Sequence, residues 1–164
     1  MDSDLKALKA LLHQYGNKVD AKKALIEVTS TECIDANVPD YPGVYWVETT
    51  MPVEDMKSAI SNVLGKEKKV RRTPPPGVSI IEQEGDSLYV AYSGTEEDWR
   101  KRLKQHLFNQ GHAKTVKLCC VIDEKPFSQY RWRVGFAAID SYEIRYAVEA
   151  WWRLNKGWPK FCLR

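Results

Sequence analysis

The segment spanning residues 87–107, SLYVAYSGTEEDWRKRLKQHL, constrains the fold more than any other stretch, because a strand pattern gives way to a helical one within a few residues. Leu88, Tyr89, Val90 and Tyr92 form a run of about strand length, rich in aromatic and β-branched residues, and Gly94 closes it. From Thr95 the period changes. Thr95 and Asp98 have the spacing of a capping box with Asp in place of Glu or Gln, and Glu96 and Glu97 suit the positive end of a helix. Trp99, Leu103 and Leu107 then recur every four residues, so the pattern predicts a strand ending at Gly94 and a helix over 96–108. On that helix Arg102 and His106 form an i, i+4 pair on the flank of the apolar stripe, near the strand end. Arg100, Lys101 and Lys104 spread over the rest of its surface.

Other elements can be read around this unit. Leu5, Leu8, Leu11 and Leu12 predict an amphipathic N-terminal helix, residues 21–28 suggest a second, and 38–42 (VPDYP) form an extended lead-in to a first strand. Pro52 starts a helical period carried by Val53, Met56, Ile60 and Leu64. It is followed at 65–77 by GKEKKVRRTPPPG, whose three prolines and basic run predict an exposed arm. Residues 115–122 and 132–139 are strand candidates. Ser141 suits the N-cap of a helix through Leu154, with Ile144, Val148, Trp151 and Leu154 or Trp152 turned inward. Glu149 lies beside that stripe, where pairing with Arg145 or Arg153 is the ordinary role for a helical glutamate.

At 164 residues, 43% hydrophobic and 29% charged, the chain suits a single core with decoration. It has no apolar run long enough to span a bilayer, and MDSDLKALKALL lacks a signal-peptide core, so the expectation is a cytoplasmic protein with no membrane partner. Cys33, Cys119, Cys120 and Cys162 show no CxxC pairing and, with His13 and His112, match no standard zinc spacing. The net charge of +3 conceals an asymmetry: residues 1–64 hold 6 Lys/Arg against 10 Asp/Glu, residues 65–99 hold 5 against 7, and residues 100–164 hold 14 against 5, which is +9. Such an excess attracts polyanions, although a merely solvated basic face has the same composition.

With these residues in place, the chain resembles the GIY-YIG nuclease family. Gly43-Val44-Tyr45 matches the family's Gly-x-Tyr strand and Tyr92-Ser93-Gly94 its Tyr-x-Gly strand, with Ser93 where isoleucine is usual. Arg102 follows Gly94 by eight positions (102 − 94), His106 follows Arg102 by four, and Glu149 lies downstream where the family keeps its metal-binding carboxylate. Many members place an asparagine after a proline beyond that glutamate. No asparagine follows Pro159 here, and Asn155 is the nearest substitute.

The resemblance implies an α/β (α+β) fold: a small, three-stranded, mainly antiparallel sheet flanked by helices. An N-terminal helical extension would cover 1–40 and the nuclease-like domain 41–164, with a basic arm inserted at about 52–86 between the first two strands. It implies hydrolysis of phosphodiesters in double-stranded DNA, in the manner of a restriction or defence endonuclease, with Mg2+ or Mn2+ held by Glu149. In that analogy Arg102 stabilises charge on phosphorus, and Tyr45, helped by His106 or Tyr92, activates water. A tyrosine, whose reference pKa is about 10, can be a base near neutrality only if cations stabilise its phenolate, whereas His106 has a reference pKa of about 6.5 suited to proton transfer. Lys66, Lys68, Lys69, Arg71 and Arg72 of the arm, with Arg100 and Lys104, are the candidate DNA contacts. A homodimer is one route to a double-strand cut. The alternatives are a catalytically inactive nucleic-acid-binding module of the same build, and a structural protein whose basic half docks an acidic partner.

Overall fold

A computed structural model describes residues 2–66, 74–111 and 117–162. The chain runs α1 (Ser3–Lys22), β1 (Ala24–Glu27), α2 (Thr31–Asn37), β2 (Gly43–Thr49), α3 (Val53–Leu64), β3 (Tyr89–Glu96), α4 (Trp99–Leu107), a 3-10 turn at Phe127–Gln129, β4 (Trp132–Ala138) and α5 (Tyr142–Asn155). Among the described residues this is an α+β fold of five α-helices and one antiparallel sheet in the order β1-β4-β2-β3. No described helix is long and apolar enough to cross a membrane.

The sheet has four strands rather than the expected three. The additional one, β1, comes from the segment read as a second helix. Ala24-Leu25-Ile26-Glu27 suits either state locally, and its pairing along β4, from Ala24 opposite Phe136 to Glu27 opposite Arg133, decides the matter. The expected strand over 115–122 is also absent from its described part, 117–122. There Cys119 has φ 62°, and the chain wraps the end of α4, with Cys120 N–H donating to His106 O and Ile122 N–H to Leu107 O. Leu118, Cys119, Cys120 and Ile122 are buried, and a single bridge from Val121 to Phe108 stands in place of a strand. A third difference lies at the strand-to-helix junction, where Thr95 and Glu96 continue the ladder opposite Val44 and Gly43. Strand β3 therefore outlasts Gly94, and Asp98 caps α4 directly by accepting the Lys101 N–H at 2.9 Å.

Strand β2 is buried at all seven positions because helices cover both faces of the sheet. Val44 and Trp46 point toward α1 and α5, packing with Val19, Val148, Trp151 and Trp152. Tyr45 and Val47 point the other way, into a larger core with Ile34 of α2, Met56 and Ile60 of α3, and Trp99, Leu103 and Leu107 of α4. Burying an aliphatic side chain of this kind contributes about 1.5–3 kcal/mol, so these contacts fix where the two faces lie. Helix α1 approaches α5 so closely that a Cβ on Gly16 would overlap the Trp151 ring.

Strand β3 stands at an edge of the sheet. The segment at 158–162 lies along it: Phe161 N–H donates to Ala91 O at 3.1 Å, and the Cys162 thiol accepts from Ser93 N–H at 3.1 Å.

Candidate active site

Tyr45 leaves β2 on the α4 side, and its strand partner is Gly94. A Cβ at Gly94 would stand 2.6 Å from Tyr45 Oη and 2.7 Å from Cζ, so the tyrosine lies across β3 only because position 94 has no side chain. Tyr92, two residues earlier, stacks on Tyr45 with ring centroids 6.1 Å apart. Helix α4 brings Arg102 and His106, and α5 brings Glu149. Tyr45, Tyr92, Arg102 and Glu149 all line one cleft of about 490 Å3, together with Glu96, Tyr146, Arg153, Trp158 and, from the end of the inserted segment, Pro75. Residues more than a hundred positions apart thus share one wall.

His106 sits behind this wall, completely buried. Its Nδ1 accepts the backbone N–H of Leu118 at 2.9 Å, and its Nε2 lies 2.9 Å from Tyr45 Oη. A backbone N–H can only donate, so Nδ1 carries no proton and the neutral ring holds its hydrogen on Nε2. His106 therefore donates to Tyr45, whose own hydroxyl hydrogen must point elsewhere. The same imidazole lies 4.5 Å from the Tyr92 ring, the planes inclined by 47°. The residues at 117–122, read as strand, are thus the clamp that selects the tautomer.

Arg102 is hydrogen-bonded to Tyr45. It also donates from Nη1 to Gln105 at 2.9 Å, and its Nε lies 3.9 Å from Glu96. Burial holds the Tyr45 hydroxyl well above the usual tyrosine pKa, Tyr92 adds to the rise, and Arg102 works against it. Tyr92 is pushed up for the same first reason, burial.

Glu149 has a side chain only 13% exposed and forms an ion pair with Arg153, one of the two ordinary partners considered for it. Burial raises its pKa, with Arg153 and a hydrogen bond from Thr95 pulling the other way. Arg153 was not singled out from the sequence as a site residue, yet it ties the cleft together. It donates from Nε to Ser93 Oγ at 3.0 Å and from Nη2 to Ser93 O at 2.7 Å, and lies over the Trp158 ring at 5.4 Å. Its only sequence signal was the i, i+4 spacing to Glu149, which countless surface helices share.

Other sequence candidates lie elsewhere. Asn155 donates to Trp151 O of its own helix and faces the groove between α1 and α5, away from the cleft. Arg100 donates to Val38 O at 2.9 Å and Lys104 pairs with Asp35 at 2.5 Å, so both tie α4 to α2 and the turn after it. Lys66 is exposed just beyond α3, while Lys68, Lys69, Arg71 and Arg72 lie outside the described residues.

Among the described residues no cluster of three or more His, Cys, Asp or Glu forms a metal cage. The cleft instead offers the carboxylates of Glu149 and Glu96. That donor set fits a hard, oxygen-seeking cation such as Mg2+, which binds through one or two carboxylates and completes its shell with water and substrate phosphate. It does not suit zinc, whose sites need four N, S or O ligands fixed by the protein and water. Set against protein-family models, curated proteins and solved structures, the chain matches none of them.

Proposed function

We propose that the protein is an Mg2+- or Mn2+-dependent endonuclease of the GIY-YIG type, hydrolysing phosphodiester bonds in DNA. The observation that carries this reading is the convergence of Tyr45, Tyr92, Arg102 and Glu149 on one cleft, with His106 bonded to Tyr45 from behind. Four elements, β2, β3, α4 and α5, deliver side chains whose chemistry suits one reaction: a phenol, a guanidinium and a carboxylate.

In this reading Glu149 and substrate phosphate hold the cation, which when bound supplies Lewis acidity at a phosphate oxygen. Arg102 faces the phosphoryl group and stabilises the charge that accumulates on its oxygens. Tyr45 is a neutral phenol at rest, because burial opposes the phenolate. Arg102 and the Nε2–H of His106 both favour negative charge on Tyr45 Oη, so Tyr45 can pass its hydroxyl proton through cleft water to the leaving oxygen as it takes one from the attacking water. His106 itself is buried and already donating, so its part is to orient Tyr45 rather than to meet water. The water oxygen forms the new bond to phosphorus as the bond to the leaving oxygen breaks.

The test is incubation of the purified protein with supercoiled plasmid in Mg2+ and in EDTA. Nicking or linearisation in Mg2+ alone is the expected result. A second reading has its own support, since Arg153 neutralises Glu149 and Asn155 stands outside the cleft. It is a nucleic-acid-binding module without catalysis, which would retard the plasmid and leave it intact. A protein that neither cuts nor retards DNA would exclude both.

A further inference from the structure

Tyr142 and Tyr146 stand one turn apart on α5 and are 58% and 50% exposed, an unusual pair of aromatic rings to leave in water beside a cleft. Their centroids are 4.6 Å apart with the planes inclined by 39°. Tyr146 lines the cleft, and Glu149 and Arg153 follow it on the same helix. The Tyr142 ring also has a cation beside it. Arg145, only 2% exposed, places its guanidinium 5.6 Å from the Tyr142 ring, and is itself fixed by an ion pair to Glu97 and a bond to Asp140 O at 3.4 Å. Arg145 is thus a buried cation beside the Tyr142 ring, with its Nε lacking a hydrogen-bond partner among the described residues.

From this we infer that Tyr142 and Tyr146 form a stacking platform for an unpaired nucleobase next to a phosphate held by Arg102. The inference rests on the nuclease reading and narrows it. Inside a duplex both faces of a base are covered by its neighbours, so only an unstacked base can offer a face to a tyrosine. Tyr146 lines the cleft that also holds the Arg102 guanidinium, and Tyr142 extends the aromatic surface outward from it, so one ligand meets aromatic rings and a cation side by side. A nucleotide combines those two chemistries, with its flat base joined to an anionic phosphate. A fully paired duplex could use the charge but would leave the rings bare. The substrate class that fits is therefore DNA carrying a single-stranded segment at the scissile position, such as a fork, a flap or a displaced strand.

The experiment measures binding by fluorescence anisotropy in EDTA, so that no strand is cut, using a labelled fully paired duplex and the same duplex ending in an unpaired fork. The wild-type protein should bind the fork roughly tenfold or more tightly than the paired duplex, the scale of one or two stacked bases. Tyr142→Ala/Tyr146→Ala should erase that preference while leaving affinity for the paired duplex within about twofold, and Tyr142→Phe/Tyr146→Phe should retain it. Both positions are half in solvent, and far-UV circular dichroism checks that the variants are folded. Equal wild-type affinity for the two DNAs, or a preference that survives the double alanine change, overturns the inference. Cleavage of the two DNAs in Mg2+ is then compared. Equal cutting of a DNA pair bound equally leaves the nuclease reading standing without the platform, whereas neither binding nor cutting of either DNA removes the nuclease reading itself.

Discussion

Gly94→Ala offers a test whose size follows from the geometry. The new methyl group would be built 2.6 Å from Tyr45 Oη and 2.7 Å from Cζ, whereas real contacts of this kind essentially never fall below 3.0 Å and are ordinary from 3.4 Å. The hydroxyl must therefore retreat by at least 0.4 Å (3.0 − 2.6), and by 0.8 Å (3.4 − 2.6) to regain an ordinary contact. It has little freedom to do so. Tyr45 is 1% exposed, His106 is fully buried, and His106 is held in turn by Leu118 N–H, so any retreat changes the 2.9 Å bond between the tyrosine and the histidine. Overpacking of this kind costs about 1–3 kcal/mol, and each kcal/mol lowers Tm by roughly 2–4 °C in a domain of this size. The protein should remain folded at 25 °C. If Tyr45 is the reacting group, a misplacement approaching 1 Å should reduce cleavage on the order of 100-fold. Thermal unfolding followed by circular dichroism and plasmid nicking in Mg2+, with EDTA as control, measure the two effects. A Gly94→Ala protein with unchanged Tm and full nicking would refute both the close approach and the assignment of Tyr45.

Tyr45→Phe should abolish nicking and destabilise the fold by about 1–3 kcal/mol in denaturant titration, because it leaves the buried His106 Nε2–H without its acceptor. Arg102→Ala and Glu149→Ala should each remove nicking with little change in DNA retardation; a Glu149→Ala protein that still cuts would exclude the carboxylate as the cation's ligand. Because burial raises the Glu149 pKa and cation binding needs the carboxylate ionised, the acid limb of the kcat/KM profile should lie above the usual glutamate value. Arg153 pulls that pKa down, so Arg153→Met should move the limb to higher pH. A limb that stays in place or moves to lower pH contradicts the pairing. Asn155→Ala should cut at the wild-type rate, since its side chain serves only its own helix among the described contacts.

What could be read from the sequence was whatever local periodicity decides. Strand β4 and helices α4 and α5 announce themselves through apolar spacing and, in α5, the Ser141 cap, although α4 is capped by Asp98 rather than Thr95 and Ile144 of the expected inward stripe is exposed. An aromatic and β-branched run put Tyr92 on a strand, and the resemblance put Tyr45 on one. The order of Tyr45, Tyr92, Arg102, His106 and Glu149 along the chain also pointed to a common cleft, and four of the five line it. The failures share a cause, because each was settled by a partner distant in sequence. Ala24–Glu27 becomes a strand only because β4 lies beside it. The residues at 117–122 are as apolar as a strand, but their N–H groups are taken by His106 and the end of α4. Arg153 looks like any helical arginine until Ser93, 60 residues away, appears under its guanidinium. Asn155, Arg100 and Lys104 were named for residue type and position, and nothing local reveals which way a helix turns them.

The arrangement along β3 has a consequence for solubility. An open edge strand is a template for another molecule's strand, and many proteins blunt it with charge or a bulge. Here the Phe161 amide, the Cys162 sulfur and the Arg153 guanidinium occupy the outward-facing groups of Ala91 and Ser93. Arg153 therefore belongs both to the lining of the cleft and to the guard against intermolecular sheet growth, so loosening it would also open part of that edge to another molecule's strand.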